Sequence, residues 1–253
     1  LIVNGTTGES PTTSDAEKRD LVAEVVKTVG QRAHVIAGVG TNDTAHSVEL
    51  AKDAAGAGAS GALLVTPYYN KPPQEGLYQH FTTVAGSTDL PAMLYDIPGR
   101  SGVEITHDTL VRLAEHPHIV ANKDAKGDVF AAQRVMAETD LSFYSGDDAL
   151  NLPLLCVGAV GMVSVIGHLV ADRLGNLAAA VDAGDLATAR AISNDLLPVV
   201  VGVMTRAQGA IMVKAALEML GRSGGGYLRL PLVKATAAQR EQLRADLRSG
   251  GLP

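Results

Sequence analysis

Apolar positions along this chain follow two alternating rhythms. Short runs rich in Val, Ile, Leu and Ala predict strands at Leu1–Asn4, His34–Gly38, Gly61–Val65, Ala92–Tyr95, Ile119–Lys123, Leu141–Tyr144 and Val160–Val165. Between them apolar residues recur at three- and four-residue spacing, the mark of amphipathic helices. The first such helix opens at Ser14 with Glu17 three residues on, a capping-box pattern. It carries Leu21, Val22, Val25, Val26 and Val29 on one stripe and stops at Gly30. Others run through Val48, Leu50, Ala51 and Ala55, through Leu77, Phe81 and Val84, through Leu110, Leu113 and Ala114, and through Phe130, Val135 and Met136. After about Ala183 only helical periodicity remains, over 185–201, 206–220 and a last helix capped by Thr236 and Gln239.

Strands alternating with helices predict a parallel sheet. Seven strands in a chain that opens directly on one predict an α/β protein of (β/α)8 TIM-barrel type. The count further predicts that its first βα unit is missing from the chain as given and that a small C-terminal helical domain follows. The expected domains are residues 1–184 for the barrel and 185–253 for the helices. A doubly wound open sheet is the alternative, but no G-x-G-x-x-G follows any strand, so nothing supports a dinucleotide-binding fold.

Composition narrows the class. The 253 residues, 46% hydrophobic and 19% charged, allow one large domain or two modest ones, and α/β barrels reach this size as one domain. A net charge of −6 and a pI near 5.6 argue against a nucleic-acid binder, which carries a basic face. No uninterrupted apolar run approaches the ~20 residues that span a bilayer, and no signal peptide is visible, so the expected location is the cytoplasm. The lone Cys156 cannot form an internal disulfide; its apolar stretch marks it as core filler rather than a nucleophile. The seven histidines are scattered without ligand spacing, so no metal site is expected.

Lys123 changes the picture most. It ends the apolar run Ile119–Lys123, where an ammonium ion must find a partner, reach water or give up its proton. A lysine that gives up its proton is a nucleophile for Schiff-base chemistry; one that snorkels to water is only a strand end. In barrels of this type the active site lies at the carboxyl ends of the strands. There the sequence places Gly5-Thr6-Thr7-Gly8-Glu9-Ser10, Thr66-Pro67-Tyr68-Tyr69-Asn70, Tyr95-Asp96-Ile97-Pro98-Gly99-Arg100, Lys123 itself and Ser145-Gly146-Asp147-Asp148. Three of the six tyrosines fall in these segments. The Gly-Thr-Thr-Gly turn is either an ordinary βα turn or a carboxylate cradle of N–H and hydroxyl groups. Tyr95 is either a core residue or an acid–base group. Arg100 is either a solvated charge or a bidentate carboxylate clamp.

These segments, together with Lys123-Asp124-Ala125-Lys126-Gly127-Asp128, resemble in order and spacing the dihydrodipicolinate synthase family, within the N-acetylneuraminate lyase superfamily of pyruvate-dependent class I aldolases. The resemblance runs the whole chain, through Thr66–His80 and Leu228-Arg229-Leu230-Pro231. It implies condensation of pyruvate with L-aspartate 4-semialdehyde to give 4-hydroxy-tetrahydrodipicolinate, on the route to diaminopimelate and lysine. Carried over by position, Lys123 would form the imine and Tyr95 would move protons. Thr6 would link Tyr95 to Tyr69, which would reach in from a neighbouring subunit. Thr7 would hold the pyruvate carboxylate, Arg100 that of the semialdehyde, and Gly146 and Val163 would line the pyruvate pocket. No cofactor and a homotetramer built as a dimer of dimers are implied, with no nucleic-acid or membrane partner.

Three departures accompany the resemblance. Asn122 stands where the family usually carries an apolar residue, and strand alternation points it away from Lys123, toward the helix layer. A missing first βα unit would leave strand edges exposed. Tyr68 and Asn42 match the family's lysine-inhibition site, but Asp15, Lys18 and His46 replace its histidines and glutamate, which implies weak or absent inhibition. Two alternatives stay open. One is another pyruvate-dependent aldolase of the N-acetylneuraminate lyase or keto-deoxy-sugar type. The other is a non-catalytic binding or regulatory relative.

Overall fold

The computed structural model describes residues 1–253, and their contacts divide them into two units. The first comprises Leu1–Gly146 and Val157–Val160, the second Asp147–Cys156 and Gly161–Pro253.

In the first unit strand and helix alternate: β1 (Ile2–Val3), α1 (Asp15–Val29), β2 (Ile36–Gly38), α2 (Thr44–Gly56), β3 (Gly61–Val65), α3 (Gln74–Ala85), β4 (Ala92–Asp96), α4 (Pro98–Ser101), α5 (His107–Ala114), β5 (Ile119–Asp124), α6 (Val129–Glu138) and β6 (Ser142–Ser145). Each strand pairs in parallel with the next, so sheet order equals chain order. The capping box at Ser14 forms, with the Glu17 N–H donating to Ser14 Oγ at 3.3 Å and the Ser14 N–H to Glu17 Oε2 at 2.8 Å. Asp43 caps α2 by accepting from the Ala45 and His46 N–H groups. The strands read as continuous apolar runs because a parallel sheet flanked by helices is buried on both faces; Ala62, Leu63, Leu64, Ala92 and Leu94 are all buried.

The edge strands are shorter than the pattern predicts. Leu1–Asn4 pairs only over Ile2–Val3, because Asn4 turns to φ 59° and leaves the strand. There the chain passes so close to β2 that a Cβ on Gly38 would lie 2.2 Å from the Asn4 carbonyl oxygen. Only glycine fits that crossing.

The second unit holds α7 (Asn151–Cys156), β7 (Gly161–Met162), α8 (Gly167–Asp182), α9 (Leu186–Met204), α10 (Gly209–Met219) and α11 (Ala237–Ser249). β7 is two residues of the six expected from Val160–Val165, since Ser164 and the Val165 and Ile166 N–H groups turn to Asp148 instead of a neighbouring strand. The units divide at Gly146/Asp147, earlier than the expected 184/185 boundary. Leu169, Leu174 and Leu177 of α8 share one core with Leu196, Val199 and Val203 of α9, Met212 and Val213 of α10 and Leu243 and Leu247 of α11. That shared core ties α8 to the C-terminal helices. Thr236 and Gln239 form the second capping box.

Cys156 is exposed, against the core position its neighbours suggested. α7 buries Leu154 and Leu155 and turns the following thiol outward. α9 is the one helix long and apolar enough to cross a membrane by length and composition. It nevertheless carries Arg190 and Asp195, and buries Leu196, Val199 and Val203 within its own unit.

Candidate functional site

Strand register assembles the site from residues distant in sequence. Paired positions in a parallel sheet face the same way, so Val65, Tyr95, Lys123 and Tyr144 form one row across β3 to β6. Lys123 is 9% and Tyr95 6% exposed. The lysine Nζ sits 3.7 Å from the centroid of the Tyr95 ring, a cation–π distance that places the amine against the phenol-bearing side chain. Thr66 holds the tyrosine backbone: its N–H and its hydroxyl both donate to the Tyr95 carbonyl, each at 3.0 Å.

Gly146 closes the other side of the lysine. Its N–H donates to the Asp124 carbonyl at 2.7 Å, and a Cβ there would stand 2.9 Å from both Lys123 Cγ and Cε. The lysine stem therefore has its course only because residue 146 has no side chain.

A cavity of about 1050 Å³ in the first unit brings Thr6, Tyr69, Tyr95 and Arg100 to one space. Thr6 and Thr7 lie in a 3-10 turn (Thr6–Gly8) in which the Gly8 N–H donates to the Gly5 carbonyl at 3.0 Å. Thr7 is outside the cavity lining, as is Lys123, whose amine lies against the ring of the lining residue Tyr95. Tyr69 is 89% exposed and adopts φ 76°, left-handed for a bulky residue, with its N–H donating to the Ser101 carbonyl at 3.2 Å. Strain of this kind persists where surrounding bonds over-determine it. The bond to Ser101 also ties the Tyr69 loop to α4, the short helix that carries Arg100. Val163 follows β7 in the second unit. The same cavity extends to Tyr68, Asn42, Asp15, Lys18 and His46. There Asp15 pairs with His46 at 2.9 Å and Lys18 at 3.7 Å.

Three charged residues emerge that periodicity alone did not single out. Asp96 and Asp124 end β4 and β5, face the opposite side of the sheet from Tyr95 and Lys123, and are 0% and 2% exposed. Lys126 lies between them, 3.1 Å from Asp96 Oδ2. Burial pushes Asp124 up to about 6 and raises Asp96 as well, although Lys126 opposes the Asp96 shift. The only sequence signal was an aspartate directly after Tyr95 and another directly after Lys123, with Lys126 two residues past the second. Asn122 is buried with its Nδ2 and Oδ1 both lacking a hydrogen-bond partner. It lies in the row of Leu94 and Phe143, facing away from Lys123 as alternation indicated. No group of three or more His, Cys, Asp or Glu side chains is placed to hold a metal ion.

A parallel βα sheet with lysine and tyrosine abutting at neighbouring strand ends is the layout of a class I aldolase. More narrowly, the chain belongs to the dihydrodipicolinate synthetase family, whose model matches residues 1–249. Two curated relatives carry the name 4-hydroxy-tetrahydrodipicolinate synthase. That of Kineococcus radiotolerans is 61% identical over 252 residues, covering 100% of this chain and 82% of the relative. The second of that name in Streptomyces coelicolor is 62% identical, covering 100% of this chain and 84% of the relative. Among solved structures, the chloride-inhibited dihydrodipicolinate synthase of Acinetobacter baumannii complexed with pyruvate superposes with a TM-score of 0.95 at 39% identity. It covers 100% of this chain and 87% of that one.

Proposed function

We propose that this chain condenses pyruvate with L-aspartate 4-semialdehyde to 4-hydroxy-tetrahydrodipicolinate, in lysine and diaminopimelate biosynthesis, through a Schiff base on Lys123. The observation that carries this reading is the buried Lys123 amine 3.7 Å from the Tyr95 ring centroid. The names of the relatives and the pyruvate in the Acinetobacter structure support the substrate assignment.

The chemistry runs on this chain's own side chains. The neutral Lys123 amine adds to the pyruvate C2 carbonyl, a proton is taken up and one water leaves, giving an iminium. That cation makes the methyl group acidic; a proton leaves C3 and the enamine forms. The enamine carbon attacks the aldehyde carbon, whose oxygen takes up a proton. The amine of the former semialdehyde then displaces Lys123 from the imine carbon and closes the ring. One water is released overall. Tyr95 moves the protons, with Thr6 linking it to Tyr69 of a neighbouring subunit, so no fixed charge is needed beside the iminium. Thr7 holds the pyruvate carboxylate, Gly146 borders the pyruvate, and Arg100 receives the semialdehyde carboxylate. The reading includes a (β/α)8 barrel with a C-terminal helical domain, a cytoplasmic homotetramer and no cofactor.

Borohydride reduction in the presence of pyruvate tests it. One reduced pyruvate on the Lys123 peptide is the expected result, and folded protein without an adduct refutes the Schiff base. Turnover of sialic acid in place of semialdehyde would move the chain to the lyase branch of the superfamily.

A further inference from the structure

Behind the row that carries Tyr95 and Lys123 lies a buried charge cluster that the proposed chemistry does not use. Asp96 and Asp124 are register partners one residue beyond Tyr95 and Lys123. The Lys126 N–H donates to Asp124 Oδ1 at 3.1 Å, while its Nζ reaches Asp96 Oδ2 at 3.1 Å, Glu104 Oε2 at 3.4 Å and the Ile105 carbonyl at 2.6 Å. Asp96 is also bonded to the backbone: its Oδ1 accepts from the Ile105 N–H at 3.2 Å, and its carbonyl from the Ala125 N–H at 2.9 Å.

These contacts make a clasp. Asp96 and Ile105 close the segment between them into a loop, and that loop contains α4 with Arg100. Lys126 then fastens both ends of the loop to the end of β5. One ammonium thereby joins the three segments that bear Tyr95, Arg100 and Lys123.

We propose that Lys126 is a positioning residue for the Lys123–Tyr95 pair, acting by compensating the buried Asp96 carboxylate and clasping the ends of β4 and β5. The inference rests on the Schiff-base reading above. The charged groups that face the clasp are Asp96 from β4, Asp124 from β5, Glu104 from the segment after α4, and Asp128 ahead of α6. Burial disfavours the Lys126 charge, but Asp96, Glu104 and Asp124 together outweigh it and raise its pKa. The ammonium therefore stays charged through the neutral range. Without it, Asp96 would be an ionised carboxylate with no compensating charge and no exposure, which drives proton uptake or displacement of the strand end.

That consequence gives a signature ordinary packing does not share. The rate of borohydride-trapped pyruvate on Lys123 is followed against pH in the parent, Lys126→Met, Lys126→Arg and the double variant Asp96→Asn/Lys126→Met. The parent traps pyruvate; failure there refutes the Schiff-base reading, and this inference with it. Lys126→Met is expected to trap roughly ten- to a hundredfold more slowly at mildly alkaline pH, the scale of an ångström of misplacement. Its deficit should shrink as the pH falls and Asp96 takes up a proton. Lys126→Arg should recover part of the rate. The double variant, which removes both charges, should return close to the parent and lose the added pH dependence. Parent-like trapping by Lys126→Met at every pH overturns the proposal. So does a pH-independent deficit that the double variant does not relieve. If Lys126→Met fails to fold, the double variant decides alone: folding with trapping supports charge compensation, and failure to fold overturns it.

Discussion

Replacing Asn122 by valine should stabilise this protein without touching its chemistry. The amide is 0% exposed, and neither its oxygen nor its nitrogen has a hydrogen-bond partner. Its neighbours in the register are Leu94 and Phe143, 0% and 1% exposed, so the amide sits in an apolar row. A buried polar group left unpaired costs ~1–3 kcal/mol, whereas an apolar group of similar shape carries no such penalty. Valine nearly matches asparagine in volume and suits a strand. Allowing for imperfect fit of the branched side chain, the gain should be about 2 kcal/mol. For a chain of this size that corresponds to a rise in Tm of roughly 4–8 °C. Thermal unfolding followed by circular dichroism measures it, alongside borohydride trapping on Lys123 as the control. Trapping should be unchanged, because residue 122 faces away from the Lys123 row. A variant equally or less stable than the parent would show that the amide is not a net cost, and the reasoning would fail.

Other perturbations test separate parts of the structure. His80 is 5% exposed with Nδ1 2.9 Å from Thr44 Oγ1, and burial lowers its pKa to about 4, so the fold holds it neutral. Its unfolded value is near 6.5, so its contribution is intact above about that pH and is lost as pH falls toward 4, by up to about 3 kcal/mol. Urea midpoints at neutral and mildly acidic pH should therefore diverge in the parent and converge in His80→Gln; equal slopes in both would dismiss the buried histidine as the cause. Gly146→Ala puts a methyl 2.9 Å from the Lys123 stem. It should slow imine trapping by roughly a hundredfold while the protein still folds; parent-like trapping contradicts the close approach. L-Lysine should inhibit weakly or not at all, because Asp15 is already paired with His46 and Lys18. An inhibition constant in the micromolar to submillimolar range would refute this.

The amino-acid sequence by itself determined what depends on neighbours along the chain. Short apolar runs and helical spacing marked the βα alternation, and the capping boxes at Ser14 and Thr236 form where Glu17 and Gln239 stand three residues on. The odd placement of Lys123, with tyrosine, threonine and arginine at other strand ends, marked the rim as the candidate site, and the family resemblance supplied its carbonyl chemistry. Other features were not legible because long-range contacts set them. α8 carries the same apolar spacing as the helices between strands; only its core with α9, α10 and α11 places it in the second unit. Cys156 lies in an apolar stretch, yet the rotation of α7 decides which of Leu154, Leu155 and Cys156 is buried. The pairing of Tyr95 with Lys123 and the Lys126 clasp depend on strand register, the shortening of β1 on the turn of Asn4 against Gly38, and that of β7 on the Asp148 carboxylate. Local pattern states which face of an element is apolar; only the packed structure states what that face, or a charge beside it, meets.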